Sequence, residues 1–298
     1  MKLAFKTPAK INLGLHILSK RDDGYHEMET LLQMVTLYDH IELETLPNGI
    51  ELICDKPGIP SDDTNLAVRA ARLLKEAFPG KTTGVRIKLD KHIPAGAGLG
   101  GGSGNAAGVL MGLNVLWDLK LRREELAPLA AQLGSDIPFF LTSACALGTG
   151  RGEILTPVQP SKKFSVLLIF PGFPIATAWV YGSLKLKLTR PENNISILQK
   201  FLSQSDIACL GSELYNDLEP VVIQRFPVIQ TIKGRLLDQQ AKGSLMSGSG
   251  SAVFGIFDNF EQAKAAYANM EGNGWERALA ETVCDLSEFL PGDILNYP

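Results

Sequence analysis

Residues 94–108 read PAGAGLGGGSGNAAG, and five of the seven residues from Gly96 to Gly102 are glycine. Such a run lets the backbone approach an anion closely and turn successive N–H groups towards it. The alternating stretch Val85–Leu89 before it predicts a strand, and the apolar run Ala106–Trp117 after it predicts a helix. A strand, a glycine-rich loop and a helix start together describe a phosphate cradle. The first helical turn offers aligned N–H donors and the positive end of its dipole. A tight packing turn is the plainer reading, but it seldom needs so many glycines in a row. A side chain placed at Gly101 is expected to take space that a phosphate needs.

Two familiar cradles fit poorly. Gly96, Gly98 and Gly101 satisfy G-x-G-x-x-G, but a dinucleotide fold also needs a second strand ending in an acidic residue about 20 positions on. That spacing lands near Asp118 and Leu121, between two predicted helices. The P-loop needs Lys-Ser or Lys-Thr after the glycines, and neither follows. The loop reads as a nucleotide site in some other fold.

Outward from the loop, helices and strands mix without a steady βαβ beat, which predicts an α+β protein. Upstream, Ile11, Leu13, Leu15 and Ile17 alternate with Lys10, Asn12, Gly14 and His16, the period of a half-buried strand with Lys10 and Asn12 on one face. Asp23-Gly24 marks a turn. Two further strands are expected near 30–37 and 40–46, and Asn48-Gly49 turns into Ile50–Cys54. Asp62, Asp63 or Thr64 can cap a helix whose apolar face is Leu66, Ala70, Leu73, Leu74 and Ala77, stopped by Pro79-Gly80. Downstream, a helix is expected from Arg123 to Leu133, kinked or delayed by Pro128. Strands fit 144–147, 153–157 and 164–170. Helices are expected near 177–185, 194–203, 213–239 (interrupted near Pro220 and Pro227) and 260–271, with strands at 243–246, 252–257 and 277–283. The polar stretch Thr156–Lys163 is the expected boundary between residues 1–158 and 159–298. A second loop, 245-LMSGSGSA-252, stands out.

Composition narrows the function classes. The chain has 298 residues, 45% of them hydrophobic and 20% charged, which is ordinary for a globular protein. A formal net charge of -3 gives no basic excess of the kind nucleic acid asks for. The four cysteines are far apart and form no CxxC pair, and the four histidines show no HxxxH spacing. That disfavours a disulfide framework or zinc site and fits a reducing cytoplasm. The longest strongly apolar stretch, Phe164–Phe170, is far too short to span a bilayer. No membrane or nucleic-acid partner is expected. A monomer or homodimer acting on a small molecule is.

The loop PxGxGLGGGSxNAA resembles the second motif of the galactokinase–homoserine kinase–mevalonate kinase–phosphomevalonate kinase (GHMP) superfamily. More narrowly, 8-PAKINLGLHILSKRDDGYHEMET-30, 93-IPAGAGLGGGSGNAA-107, 133-LGSDIPFFL-141 and 246-MSGSGSAVF-254 resemble the kinases of 4-diphosphocytidyl-2-C-methyl-D-erythritol. The resemblance implies a two-domain GHMP kinase fold. Its N-terminal domain would be like domain 2 of ribosomal protein S5, its C-terminal domain ferredoxin-like, with the active site between them. It implies transfer of the ATP γ-phosphoryl to the 2-hydroxyl of that cytidyl substrate, a step of non-mevalonate isoprenoid precursor synthesis. Another GHMP kinase, for homoserine or mevalonate, would not need the DGYH element.

The resemblance also assigns residues. Pro94, Ala95, Gly96, Ala97, Gly98, Leu99, Gly100, Gly101, Gly102, Ser103 and Gly104 would hold the ATP phosphates, and Asn65 and Lys91 would reach the adenosine half. Asp136, in Gly134-Ser135-Asp136-Ile137-Pro138, reads alone as a helix cap; by resemblance it accepts the substrate hydroxyl proton. Lys10, alone a solvated lysine, would sit beside it, with Asn12 as a partner of the substrate hydroxyls or of Asp136. Tyr25 would stack on the cytosine and His26 bond its edge. Thr177 and Tyr181 would contact the cytidine or its diphosphate, and Ser247 and Gly248 would close over the substrate side. Mg²⁺ is expected on the phosphates, with Ser103 as its protein ligand. The family usually carries two serines after the glycines; with Gly104 here, a contact made by the second hydroxyl is expected to be missing.

Overall fold

The structure, a computed structural model, describes residues 1–184, 195–271 and 274–297. The first half of the chain runs β1 (Lys2–Lys20), β2 (His26–Leu46), β3 (Ile50–Ile53), α1 (Leu66–Ala77), β4 (Gly84–Asp90), α2 (Gly101–Leu116), α3 (Arg123–Leu133), α4 (Phe139–Thr142), β5 (Cys145–Thr149) and β6 (Ile154–Pro157). The second half runs β7 (Ser165–Phe170), α5 (Thr177–Gly182), α6 (Ile195–Gln204), α7 (Ile207–Ser212), β8 (Tyr215–Asn216), α8 (Glu219–Arg225), α9 (Val228–Asp238), β9 (Gly243–Met246), β10 (Val253–Phe257), α10 (Phe260–Asn269), β11 (Glu276–Glu281) and α11 (Gly292–Leu295). The expected helix ends at 185 and 194 lie outside the described residues.

One sheet has the path β3-β4-β2-β1-β8, with β5 pairing β2 and β6. The other is antiparallel in the order β11-β7-β10-β9. With helices between β7 and β9 and between β10 and β11, that is the βαββαβ pattern of a ferredoxin-like unit. The chain is α+β, as its mixed pattern predicts.

Every residue of β7 from Ser165 to Ile169 is buried because its two faces serve two cores. Val166 and Leu168 meet Ala9, Ile11 and Leu13 of β1, so the two sheets pack face to face. Leu167 and Ile169 meet Ile229, Ile232 and Leu236 of α9 on the far side. A third core lies between the first sheet and α1, α2 and α3. The expected boundary at 158 falls between the two sheets, but the chain crosses it twice. β8 pairs in parallel with β1, Leu15 opposite Asn216. Val283, Leu286, Phe289, Leu290 and Ile294 return to the first core.

Several elements differ from expectation for local reasons. The strands expected at 30–37 and 40–46 form one strand, β2, because a bulge rather than a turn joins them: Pro8 faces Tyr38 and Ala9 faces Val35, leaving Thr36 and Leu37 extra. Where a helix was expected from 213, β8 forms first; α8 carries Pro220 in its first turn and Pro227 caps α9, so both prolines begin helices. α2 starts at Gly101, five residues earlier than its apolar run indicates, because the last glycines of the loop are already helical.

Candidate active site

The bulge sets the chemistry. Before it, Phe5 and Thr7 face α2: Thr7 accepts a hydrogen bond from Asn105 Nδ2 (2.8 Å), and Phe5 packs against Gly108 and Gly112. At the bulge the strand pair bends and twists, and the odd-numbered residues of β1 pass from the first core to the second. After the bulge, Ala9 and Ile11 face the second sheet, and Lys10 and Asn12 turn to the side of the glycine loop. The polar face expected on this strand is therefore internal, and Lys10 is only 3% exposed.

The main chain of Lys10 donates to Leu99 O (2.9 Å), joining the loop to β1. Its ammonium donates to Asn12 Oδ1 (2.6 Å) and Gly98 O (2.8 Å). Asn12 Nδ2 in turn donates to Thr30 Oγ1 (2.8 Å), which donates to Gly14 O (2.8 Å). Two of the three ammonium protons are thus committed. Asp136 Oδ2 lies 3.9 Å away on the open side. Burial pushes the Lys10 ammonium below its ordinary range, and the negative charge of Asp136 opposes that shift in part.

Asp136 lies in the turn before α4, and Pro138, not Asp136, occupies the cap position. Among the described residues the Asp136 carboxylate accepts no capping hydrogen bond, which leaves it facing the cleft and Lys10. The expectation of a helix-capping aspartate is corrected on that point.

The glycine loop closes the cleft opposite. Gly96, Gly98 and Gly100 have φ of 65°, 77° and 68°, the left-handed region where glycine costs least. A Cβ on Gly98 would overlap the Ser247 carbonyl oxygen; one on Gly100 would lie 2.9 Å from Lys10 Cγ. Gly102 is exposed on the cleft, and a Cβ there would meet only Leu66, at 3.6 Å. Gly101 is different. Its φ is not positive, and its Cβ would point inward, 2.8 Å from Ile93 Cγ2 and 3.1 Å from Lys91 Nζ. A side chain at 101 would disturb packing beneath the loop, not fill phosphate space.

The cleft between the halves measures about 1070 Å³. It gathers residues from six separate parts of the chain. Lys10, Asn12, Tyr25, His26, Pro94, Ala95, Gly96, Ala97, Gly98, Leu99, Gly100, Gly101, Gly102, Ser103, Asp136, Thr177, Tyr181 and Gly248 all line it. Tyr25 is 55% exposed, with the Arg151 guanidinium 4.8 Å from its ring centre. His26 and Tyr181 lie ring against ring at 5.4 Å. Burial, then the charge of Lys20, holds the His26 imidazole below its ordinary range. At neutral pH it is an uncharged ring with one donor and one acceptor. Burial, then the Asp136 carboxylate, pushes the Tyr181 phenol up, so it stays protonated. Thr177 Oγ1 lies 2.8 Å from Ser249 Oγ, linking α5 to the second loop.

Four expected site residues do not themselves line this cleft. Asn65 caps α1, accepting from Ala67 N (2.9 Å) and donating to Pro60 O (2.8 Å). Lys91 is buried in an ion pair with Asp39 and donates to Asn105 Oδ1 (2.9 Å). Ser247 is buried and donates to Gly98 O (2.9 Å), so it ties the loops together. Gly104 points away from the cleft: a Cβ there would meet Pro8 O at 3.0 Å and Phe140 Cε1 at 3.3 Å. A serine hydroxyl at 104 would start from the same inward direction, so Gly104 removes nothing from the phosphate side. Arg151, Lys20 and Thr30 line the cleft without having been expected there. Arg151 sits in the turn between β5 and β6, where no local pattern marks it.

Known proteins resemble this chain in sequence and fold. The model of the GHMP kinases N terminal domain matches residues 65–144, and that of the GHMP kinases C terminal matches 198–276. A 4-diphosphocytidyl-2-C-methyl-D-erythritol kinase of Geobacter sp. (strain M21) is 44% identical over 284 residues, 95% of this chain and 99% of the relative. One from Acetivibrio thermocellus is 40% identical over 281 residues, 94% and 99% of the two chains. A crystal structure of 4-(cytidine 5'-diphospho)-2C-methyl-D-erythritol kinase matches with a TM-score of 0.81 at 35% identity, covering 94% of this chain and 99% of that one. Homoserine kinase from Cytophaga hutchinsonii, at 19% identity and a TM-score of 0.77, shares the fold. Likeness of this depth runs through both halves and nearly end to end, and the chain therefore belongs to the GHMP kinases and, among them, to the 4-diphosphocytidyl-2-C-methyl-D-erythritol kinase family.

Proposed function

We propose that the chain phosphorylates the 2-hydroxyl of 4-diphosphocytidyl-2-C-methyl-D-erythritol with ATP, in non-mevalonate isoprenoid precursor synthesis. One observation carries the reading. Lys10, locked by Asn12 and Gly98, faces Asp136 at 3.9 Å in a cleft with glycine-loop donors on one side and Tyr25, His26 and Tyr181 on the other. The names of the relatives support the same substrate.

In this reading the N–H groups of the glycine loop and the start of α2 hold the phosphates. Tyr25, His26 and Tyr181 hold the base: a neutral His26 can accept from an amino group or donate to a ring nitrogen, and the rings supply stacking area. The acceptor hydroxyl lies between Lys10 and Asp136. Its oxygen forms the new bond to the γ-phosphorus, the bond to the departing ADP breaks, and Asp136 takes the hydroxyl proton. Lys10 places its positive charge beside the attacking oxygen and stabilises the charge that develops there. Thr177 and Gly248 border the acceptor side.

Ser103, a half-buried hydroxyl in the first turn of α2 on the cleft wall, is the protein ligand proposed for Mg²⁺. A hydroxyl ligand suits a cation that keeps waters and phosphate oxygens as its other ligands. Mg²⁺ supplies neutralisation of the β- and γ-phosphate charge.

The test is ADP release with ATP and Mg²⁺ against cytidyl-methylerythritol, mevalonate and homoserine. Turnover of the cytidyl compound alone is expected. Turnover of either other acceptor at equal kcat/KM would overturn the reading.

A further inference from the structure

Asn216, Asp217, Leu218 and Glu219 lie in sequence far from the glycine loop, yet they hold both walls of the site. Asn216 is 2% exposed, and both of its amide donors go to the loop: Nδ2 donates to Met246 O (2.8 Å) and Gly248 O (2.8 Å), while Oδ1 accepts from Leu218 N (2.9 Å) within its own segment. On one side the segment grips β1. Asn216 pairs with Leu15, Asp217 N donates to Leu15 O (3.0 Å), and Ile17 N donates to Asp217 Oδ2 (2.7 Å). On the other side it grips the Ser-Gly loop, where Glu219 Oε2 accepts from Met246 N (2.8 Å) and Glu219 is ion-paired with Lys233.

That loop touches the reacting groups directly. A Cβ on Gly248 would lie 3.1 Å from Lys10 Nζ, 3.2 Å from Asn12 Oδ1 and 3.3 Å from Gly98 O. Ser247 Oγ donates to Gly98 O, the same carbonyl that receives the Lys10 ammonium. Ala252 N donates to Ala97 O (3.0 Å). The Ser-Gly loop is therefore the back wall against which Lys10 is held, and Asn216 is the buried amide that binds this wall to β1.

We propose that Asn216 is a positioning residue for phosphoryl transfer: it clasps the Ser-Gly loop to β1 and so fixes the Lys10 ammonium at the distance the reaction requires. It touches neither substrate. Its removal leaves two buried carbonyls without a donor and frees the loop to move. This inference rests on the kinase reading for its activity arm and on geometry alone for its second arm.

The experiment compares Asn216→Ala and Asn216→Asp with wild type. Asp keeps the volume and removes both donors, so the two variants should behave alike. Misplacement of this kind is expected to lower kcat about 10–100-fold with KM for ATP within about threefold. A control, Ile232→Ala in the α9 core, should lower Tm without changing kcat at 25 °C. Hydrogen exchange supplies the second arm: the amides of residues 246–252 should lose protection in both Asn216 variants while those of β7 keep theirs. Normal kcat in Asn216→Asp, or an equal fall in the Ile232→Ala control, would overturn the proposal. Unchanged protection at 246–252 would overturn it as well. If the wild type turns over no acceptor, the kinase reading fails, and the exchange result still decides whether the clasp exists.

Discussion

At the scale of single residues, the active centre is an ammonium caged by oxygens and one carboxylate left open to the cleft. Asp136→Asn keeps the shape and removes the charge. A general base contributes about 10²–10⁴-fold, so kcat should fall by that factor while ATP affinity, measured by calorimetry, stays near wild type. Normal turnover would remove Asp136 from the mechanism. Lys10 carries a second expectation. Burial depresses its folded-state affinity for a proton, so the ammonium is lost at a lower pH than an exposed lysine loses it. Activity should therefore decline on the alkaline side before an ordinary lysine titrates. Asp136 opposes the depression, so in Asp136→Asn the Lys10 ammonium should titrate at a still lower pH, read by NMR at its Cε. A Lys10 that titrates like an exposed lysine would contradict the caged geometry. Much of this centre is legible in the sequence, because Lys10, Asn12 and Asp136 sit in short motifs. Lys91 shows where legibility ends. The sequence presents a lysine at a strand end beside the loop, and nothing local says that Asp39, from another strand, takes its charge inside the core. Arg151 was missed for the same reason: its nearness to Tyr25 is made by the pairing of β2 with β5 and not by any local spacing.

At the scale of elements, glycines that look alike do different work. The run from Gly96 to Gly102 announces a cradle, but the role of each position depends on what packs behind it. Gly98 combines a positive φ with the carbonyl of Ser247 where its Cβ would be. Gly98→Ala must therefore strain the backbone, at about 1–2 kcal/mol for the left-handed conformation, and also part the two loops. Both Tm and kcat should drop. Gly102 has a helical conformation and open space. Gly102→Val should leave Tm within a few degrees of wild type and raise KM for ATP, since the side chain stands on the phosphate side of α2. Equal effects of the two substitutions on Tm would contradict the distinct surroundings described. The strands and long helices followed from periodicity. The bulge in β2 and the two-residue strand β8 did not, because each owes its existence to a partner distant in sequence: β8 has too few residues to carry a pattern of its own.

At the scale of the whole molecule, the boundary near 158 separates two sheets but not two independent cores. Val283, Leu286, Phe289, Leu290 and Ile294 are buried with the first half. Each such side chain is worth about 1.5–3 kcal/mol, and together they rival the ~5–15 kcal/mol of a typical domain. A chain ending at Thr282 should lose cooperative unfolding, and fragment 1–158 should be no better; calorimetry on both would show it. A sharp transition in either would mean that the first half closes without this segment. The same returning segment governs the order of events during synthesis. The ribosome delivers β5 roughly 140 residues before Val283, and at about 5–20 residues per second the first core waits on the order of 7–30 s for the piece that seals it. Throughout that interval its apolar face is open to whatever binds nascent chains, so the first core closes only after the segment from Val283 to Ile294 has been made.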